Sequence, residues 1–129
     1  MPGSLVNDDL LEAIMRAESD GNASALGDTS LINPAYGAFQ VRLPAFRDVQ
    51  RIFPQEFGQT AFESVQANPE MNRLVARRYL EAGEQAYGIR DLDRLISFYN
   101  AGPRARKGAL INGSYVEKVR RYMKQRRRN

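Results

Sequence analysis

The sequence predicts an all-α fold, on three observations. Apolar residues recur three and four positions apart in one segment after another, the period of a helix with one buried face. Those segments open at caps or prolines and close at glycines or prolines. Period-two alternation is missing except over a few residues around Phe39-Gln40-Val41, so at most a minimal β element is expected.

The first helix is read from about Asn7 to Glu18. Leu10, Leu11, Ile14 and Ala17 recur at helical spacing, and Asp8, Asp9 and Glu12 lie in the first turns, where the helix dipole favours negative charge. Glu18 then falls on the Leu10–Ile14–Ala17 side, at the inner end of the helix, and Ser19-Asp20-Gly21-Asn22 turns the chain away. A buried carboxyl there would hold its proton and could deliver it to a leaving oxygen. On this segment alone the plainer reading, that Glu18 caps or salt-bridges near the loop, is the favoured one. From Ser19 to Pro34 the chain reads as a long loop of Gly, Asn, Asp, Ser and Thr, a length that inside compact domains is usually functional or disordered. Leu43-Pro44 opens a helix with Phe46, Val49 and Phe53 inward, and Pro54 stops it. Thr60 to Ala67 is a short helical segment. Asn68-Pro69 then caps and starts a long helix whose stripe of Met71, Leu74, Val75, Tyr79 and Ala82 runs to about Tyr87, with Gly88 as its stop. Asp91 caps the next, with Leu92, Leu95, Ile96 and Tyr99 in register, and Asn100-Ala101-Gly102-Pro103 ends it. Arg104–Gly113 reads as a basic loop. The last helix, about residues 114–128, carries Tyr115, Val119, Tyr122 and Met123 inward. No repeat, low-complexity tract or linker interrupts the chain, so residues 1–129 are expected to form a single compact domain of five or six helices.

Composition narrows the chemistry. With no cysteine and no histidine there is no disulfide framework, thiolate or imidazole metal ligand, or histidine-dependent triad. Carboxylates, tyrosines, lysines and backbone groups remain. No metal and no cofactor are expected. Lysine and arginine number 19 against 15 acidic residues, a net charge of +4, and much of the excess is Lys118, Arg120, Arg121, Lys124, Arg126, Arg127 and Arg128. Such a run suits an anionic partner, and it equally suits a solvated helix C-terminus. It lacks the interleaved aromatics of a single-strand nucleic-acid platform, so nucleic acid is not the expected partner. Neither a basic-then-apolar leader nor an apolar stretch near the ~20 residues of a membrane span is visible.

Three short stretches, each weak alone, stand in a particular order at helix edges: Glu18-Ser19, Gly37-Ala38-Phe39-Gln40-Val41 and Tyr99-Asn100-Ala101-Gly102-Pro103. Together they resemble the soluble lytic transglycosylase family, whose goose-type-lysozyme-like catalytic domain cleaves bacterial peptidoglycan. Asn68-Pro69-Glu70-x-Asn72, with Arg78-Tyr79-Leu80 behind it, is similar to the family's third block. Tyr115-Val116-x-Lys118-Val119 resembles its last, so the likeness spans roughly Leu10 to Tyr122.

The resemblance implies that Glu18 is the single acid/base. It would protonate the oxygen linking N-acetylmuramic acid to N-acetylglucosamine, then take the proton of the muramyl C6 hydroxyl as that group closes a 1,6-anhydro ring. One protein carboxylate suffices when the attacking group belongs to the substrate, in contrast to paired-carboxylate glycosidases. Phe39 would wall Glu18 apolar, Gln40 would bond the sugar, and Tyr99 would orient Glu18 or the oxocarbenium-like centre. Asn100 would position backbone or sugar, Ser19 would fix the turn behind Glu18, and Gly37 belongs to the same substrate-binding block. Plainer roles are open too: core packing for Phe39 and Tyr99, a helix cap for Asn100.

Some positions depart from the family pattern. Ala38-Phe39 replaces the frequent Leu-Met, Ala76 replaces a common glycine, and Asn112-Gly113-Ser114 stands where some members carry an acid. Gly27-Asp28 resembles the Gly-Asp of goose-type lysozymes, whose aspartate activates water, so Asp28 assisting a hydrolysis is the alternative outcome; it could also brace its own loop. Arg42, where those lysozymes carry a further aspartate, favours transglycosylation. A non-catalytic wall-binding or structural module is the remaining alternative. The expected setting is the bacterial cell wall, periplasmic or extracellular, reached as a phage-encoded, virion-borne enzyme or as a trimmed mature form. The expected partners are glycan strands, bound by a monomer, and anionic wall polymer at the basic C-terminus.

Overall fold

A computed structural model describes residues 3–128, with side chains described through residue 126. Among these residues lie seven α-helices: α1 Asp8–Ser19, α2 Leu43–Ile52, α3 Pro54–Phe57, α4 Phe62–Ala67, α5 Pro69–Gln85, α6 Leu92–Ala101 and α7 Gly113–Arg128. Two short strands, β1 Leu26–Gly27 and β2 Ala35–Tyr36, pair antiparallel with Leu26 opposite Tyr36 and Gly27 opposite Ala35. The architecture is all-α with a minimal β element, as the periodicity predicts.

Helix starts follow side-chain chemistry. The Asn7 side chain accepts from the Leu10 N–H at 2.9 Å, Asn68 accepts from Glu70 and Met71 at 2.9 and 3.1 Å, and Asp91 accepts from Arg94 at 2.9 Å. Each satisfies amides that the first helical turn leaves without intrahelical partners. α5 is the central element. It packs against α2, α4 and α6, and its inner face carries Val75, Ala76, Leu80 and Ala82 with no solvent exposure. α7 closes against α1, so Leu10, Leu11 and Ile14 share a core with Val116, Val119 and Met123. Tight packing limits what α5 can carry. A Cβ on Gly83 would lie 2.9 Å from both Leu95 Cδ1 and Phe98 Cε2, so glycine there lets α6 approach.

Four local expectations change. Residues 19–34 are not loop throughout, because β1 lies inside them and pairs with β2, while Phe39-Gln40-Val41 contributes only a bridge from Val41 to Tyr36. A two-residue strand is too short to display alternation, so periodicity could not reveal it. Pro54, read as a stop for α2, is also the first residue of α3, because proline is tolerated where the N–H is unneeded. Within the basic 104–113 stretch the chain first makes a 3-10 turn, Pro103–Arg106. α5 ends at Gln85, ahead of Tyr87, and Ile89 N–H returns to the Gly83 carbonyl at 3.0 Å.

One buried acid has no counterpart in the sequence reading. Glu84, 7% exposed, accepts from Ser4 Oγ at 2.5 Å and the Leu5 N–H at 2.8 Å. It fastens the segment ahead of α1 onto α5.

Candidate active site

A cleft of about 380 Å³ opens between the end of α1, the β hairpin, the start of α2, α5 and the end of α6. That volume suits part of a sugar chain or a small ligand. Its floor is apolar, from Ala35, Val41, Val75 and Ala76, while Glu18, Asp28, Gln40, Arg42, Asp48, Tyr99 and Asn100 bring polar groups to it.

Glu18 is the penultimate residue of α1, one turn beyond the fully buried Ile14. Asp20 then adopts φ 55°, left-handed, and its N–H returns to the Arg16 carbonyl at 3.1 Å, so the helix stops and Glu18 faces the cleft. Burial raises the Glu18 pKa above its ordinary 4.5; the Asp28 carboxylate adds to the rise, and the Tyr115 hydrogen bond, Lys118 and Arg42 act against it. The Tyr115 hydroxyl, from the first turn of α7, donates to Glu18 Oε2 at 2.6 Å. Burial and the neighbouring Glu18 push that phenol well above its usual range, so it stays a donor. Lys118, one turn further along α7, donates to the Ala17 carbonyl at 3.2 Å.

The turn after β2 is built around a buried amide. Asn72 of α5, 1% exposed, accepts from the Phe39 N–H at 3.0 Å and donates to the carbonyls of Tyr36 at 2.9 Å and Val65 at 3.2 Å. Gly37, at φ 81°, passes so close that a Cβ would lie 2.5 Å from the Asn72 amide nitrogen. Gln40, at φ 51°, donates through Nε2 to the Gly37 carbonyl at 3.0 Å. Its Oε1 lies over Gly27, where a Cβ would approach it to 2.0 Å. Gly37 is therefore a steric requirement of the turn, whereas a side chain at Gly27 would displace the end of Gln40.

The other candidates fall around this frame. Ser19 donates to the Ala38 carbonyl at 2.7 Å and accepts from the Asn22 N–H at 3.1 Å, tying the end of α1 to the turn. Phe39 is 3% exposed in the core and outside the cleft lining. The Tyr99 hydroxyl donates to the Phe39 carbonyl at 2.6 Å, so the phenol bonded to Glu18 is Tyr115 and not Tyr99. Burial, then the Glu18 charge, raises the Tyr99 pKa well above its usual range. Asn100 lines the cleft and accepts from Asn112 Nδ2 at 2.8 Å. Asp28, at φ 55°, pairs with Arg42 across the hairpin.

Sequence reasoning placed Tyr115 inside the fold without a site role, and it left Asn72 as part of a motif. Tyr115 sits in the block Tyr115-Val116-x-Lys118-Val119, and Lys118 one helical turn on reaches the same helix end, a pairing visible only once α7 is set beside α1. Among the described residues no group of three or more His, Cys, Asp or Glu is arranged to hold a metal ion, and no helix is long and apolar enough to cross a membrane. The cations of the C-terminal run divide. Arg120 pairs with Asp93 and Arg126 with Asp9, while Arg121 and Lys124 are exposed. The side chains of Arg127 and Arg128 lie outside the described residues.

The Transglycosylase SLT domain family matches residues 4–118. No curated protein matches the chain. Among solved structures, a chain of the crystal structure of Aeromonas hydrophila PliI in complex with Meretrix lusoria lysozyme is similar at a TM-score of 0.68 and 18% identity, with 92% of each chain covered. That likeness is one of fold.

Proposed function

The chain belongs to the transglycosylase SLT domain family, which acts on peptidoglycan, and from that premise we propose that it is a lytic transglycosylase with Glu18 as sole acid and base. It cleaves the bond from N-acetylmuramic acid to N-acetylglucosamine and leaves a 1,6-anhydromuramyl end. The observation that carries this reading is a carboxyl at a helix end, inside the cleft, whose pKa burial raises and whose Oε2 accepts the Tyr115 hydroxyl. A phenol donating to Oε2 favours the proton on Oε1, the oxygen left free to face the glycosidic oxygen. Protonation of that oxygen breaks the C1–O4 bond. The carboxylate formed then accepts the C6 hydroxyl proton as O6 bonds to C1, and Glu18 is restored with no water consumed.

The remaining residues support this step. Gln40, held by the Gly37 carbonyl, and Asn100, at the end of α6, offer amides to sugar hydroxyls and acetamido groups. Tyr99 and Ser19 bond the carbonyls of Phe39 and Ala38 in the same turn, and so hold in place the segment that carries Gln40 to the cleft. Phe39 contributes from the core side as a packing anchor for that turn. The protein works as a single domain at the bacterial cell wall, and its exposed α7 cations, Arg121 and Lys124, add attraction to anionic wall polymer.

Mass spectrometry of fragments released from purified walls in H2(18)O tests the reading. Anhydro ends free of heavy oxygen are expected. Reducing ends carrying the label would overturn it in favour of hydrolysis assisted by Asp28.

A further inference from the structure

Two further carboxylates line the cleft with Glu18, and each is held by an arginine: Asp28 by Arg42 and Asp48 by Arg51. The Asp28–Arg42 pair joins two differently anchored pieces of backbone. Asp28 follows β1 directly, and its carbonyl accepts from the Leu31 N–H at 2.9 Å. Arg42 follows Val41, which exchanges two hydrogen bonds with Tyr36 at 2.9 and 3.0 Å, and is itself the residue that opens α2. The Arg42 side chain is 39% exposed and that of Asp28 50%, and an ion pair that wet adds little to fold stability. Its position matters more than its strength. Hydrolysis with a second carboxylate needs that group free to take a proton from water across the sugar ring from the acid, and Asp28 is the cleft carboxylate on the hairpin side.

We infer that Arg42 sets the chemical outcome of cleavage: by holding Asp28 it denies water a base and leaves the substrate's own C6 hydroxyl as the attacking group. The inference rests on the transglycosylase reading above. With the pair intact, O6 bonds to C1 as C1–O4 breaks, the Glu18 proton goes to the leaving oxygen, and the C6 hydroxyl proton returns to Glu18. With Arg42 replaced by a neutral side chain, a water oxygen bonds to C1 instead. Glu18 again protonates the leaving oxygen, Asp28 takes the proton from water, and solvent exchange resets both carboxyls. Arg42 is thus a positioning residue that acts through Asp28.

The test compares wild type, Arg42→Met, Arg42→Lys and the double variant Arg42→Met with Asp28→Asn, scoring labelled reducing ends against anhydro ends on the same walls. A positioned base contributes about 100-fold at the low end, so Arg42→Met should raise the ratio of reducing to anhydro ends at least about tenfold. Arg42→Lys should return it toward wild type, and the added Asp28→Asn should abolish the rise. Arg42→Gln serves the same purpose if the methionine variant does not fold. Anhydro ends from wild type together with an unchanged ratio in the folded neutral variants would overturn this inference and leave the transglycosylase reading standing. A rise that survives Asp28→Asn would overturn the role of Asp28 as base. Labelled reducing ends from wild type itself would overturn both.

Discussion

Opposing influences act on the Glu18 carboxyl, the candidate acid, and burial is the largest of them. Removal from water favours the neutral form, and the Tyr115 hydroxyl, which bonds best to the charged form, opposes it. Losing that hydroxyl should therefore move the Glu18 pKa further up. In the proposed cycle the protonated form starts the reaction, so activity should fall as pH rises through this pKa. Tyr115→Phe is expected to shift the alkaline limb of the kcat/KM profile to higher pH while lowering the plateau, because the Oε1 proton loses its orientation. A downward shift of that limb would contradict the assignment. The place of Glu18 at the inner end of an amphipathic helix was legible in the sequence, and its candidacy as the acid came from the resemblance carried by the ordered motifs. Its tyrosine partner was not, because 97 residues separate them and only the packing of α7 on α1 brings them together.

The turn between β2 and α2 owes its shape to α5 more than to its own sequence. Asn72 accepts from the turn at Phe39 and donates to it at Tyr36, and its second donor bond ties the Val65 carbonyl of α4 to the same amide. Replacing Asn72 by Leu would strand the Phe39 N–H and the Val65 carbonyl, while the Tyr36 carbonyl keeps the Val41 N–H; each stranded group costs on the order of 1–3 kcal/mol when buried unpaired. Denaturant unfolding should show a loss of about 2 kcal/mol or more, with anhydro-product formation falling as Gln40 loses its seat. Stability unchanged by that substitution would show that the amide is dispensable. The helices around this turn could be read directly, since Asn7, Asn68 and Asp91 announce their starts in residue type and spacing. The strands could not. Leu26 and Gly27 pair with Tyr36 and Ala35 through backbone hydrogen bonds that leave no two-residue pattern to detect. Gly37 carries the more useful signal, a demand for an absent side chain, but its cause lies in Asn72, remote in sequence.

For the molecule as a whole, the first and last helices close on each other beside a central α5, so α1 supplies the candidate acid and α7 its hydrogen-bond donor. The excess positive charge on α7 is smaller in effect than the sequence suggests, because Arg120 and Arg126 already face Asp93 and Asp9. Adsorption to purified walls should weaken as salt rises, since exposed charges are screened beyond about 10 Å at 0.1 M. Arg121→Glu with Lys124→Glu should weaken it further at low salt in a sedimentation assay, and equal adsorption by that variant would remove α7 from the contact. The central claim is more compact than this: one buried carboxyl carries both proton transfers. Its most direct test is the rate at which purified walls release 1,6-anhydro fragments to Glu18→Gln, a near-isosteric change that keeps an acceptor for Tyr115. The account predicts a fall of at least about 100-fold in a variant whose circular dichroism matches wild type, and an undiminished rate from that folded variant would contradict it.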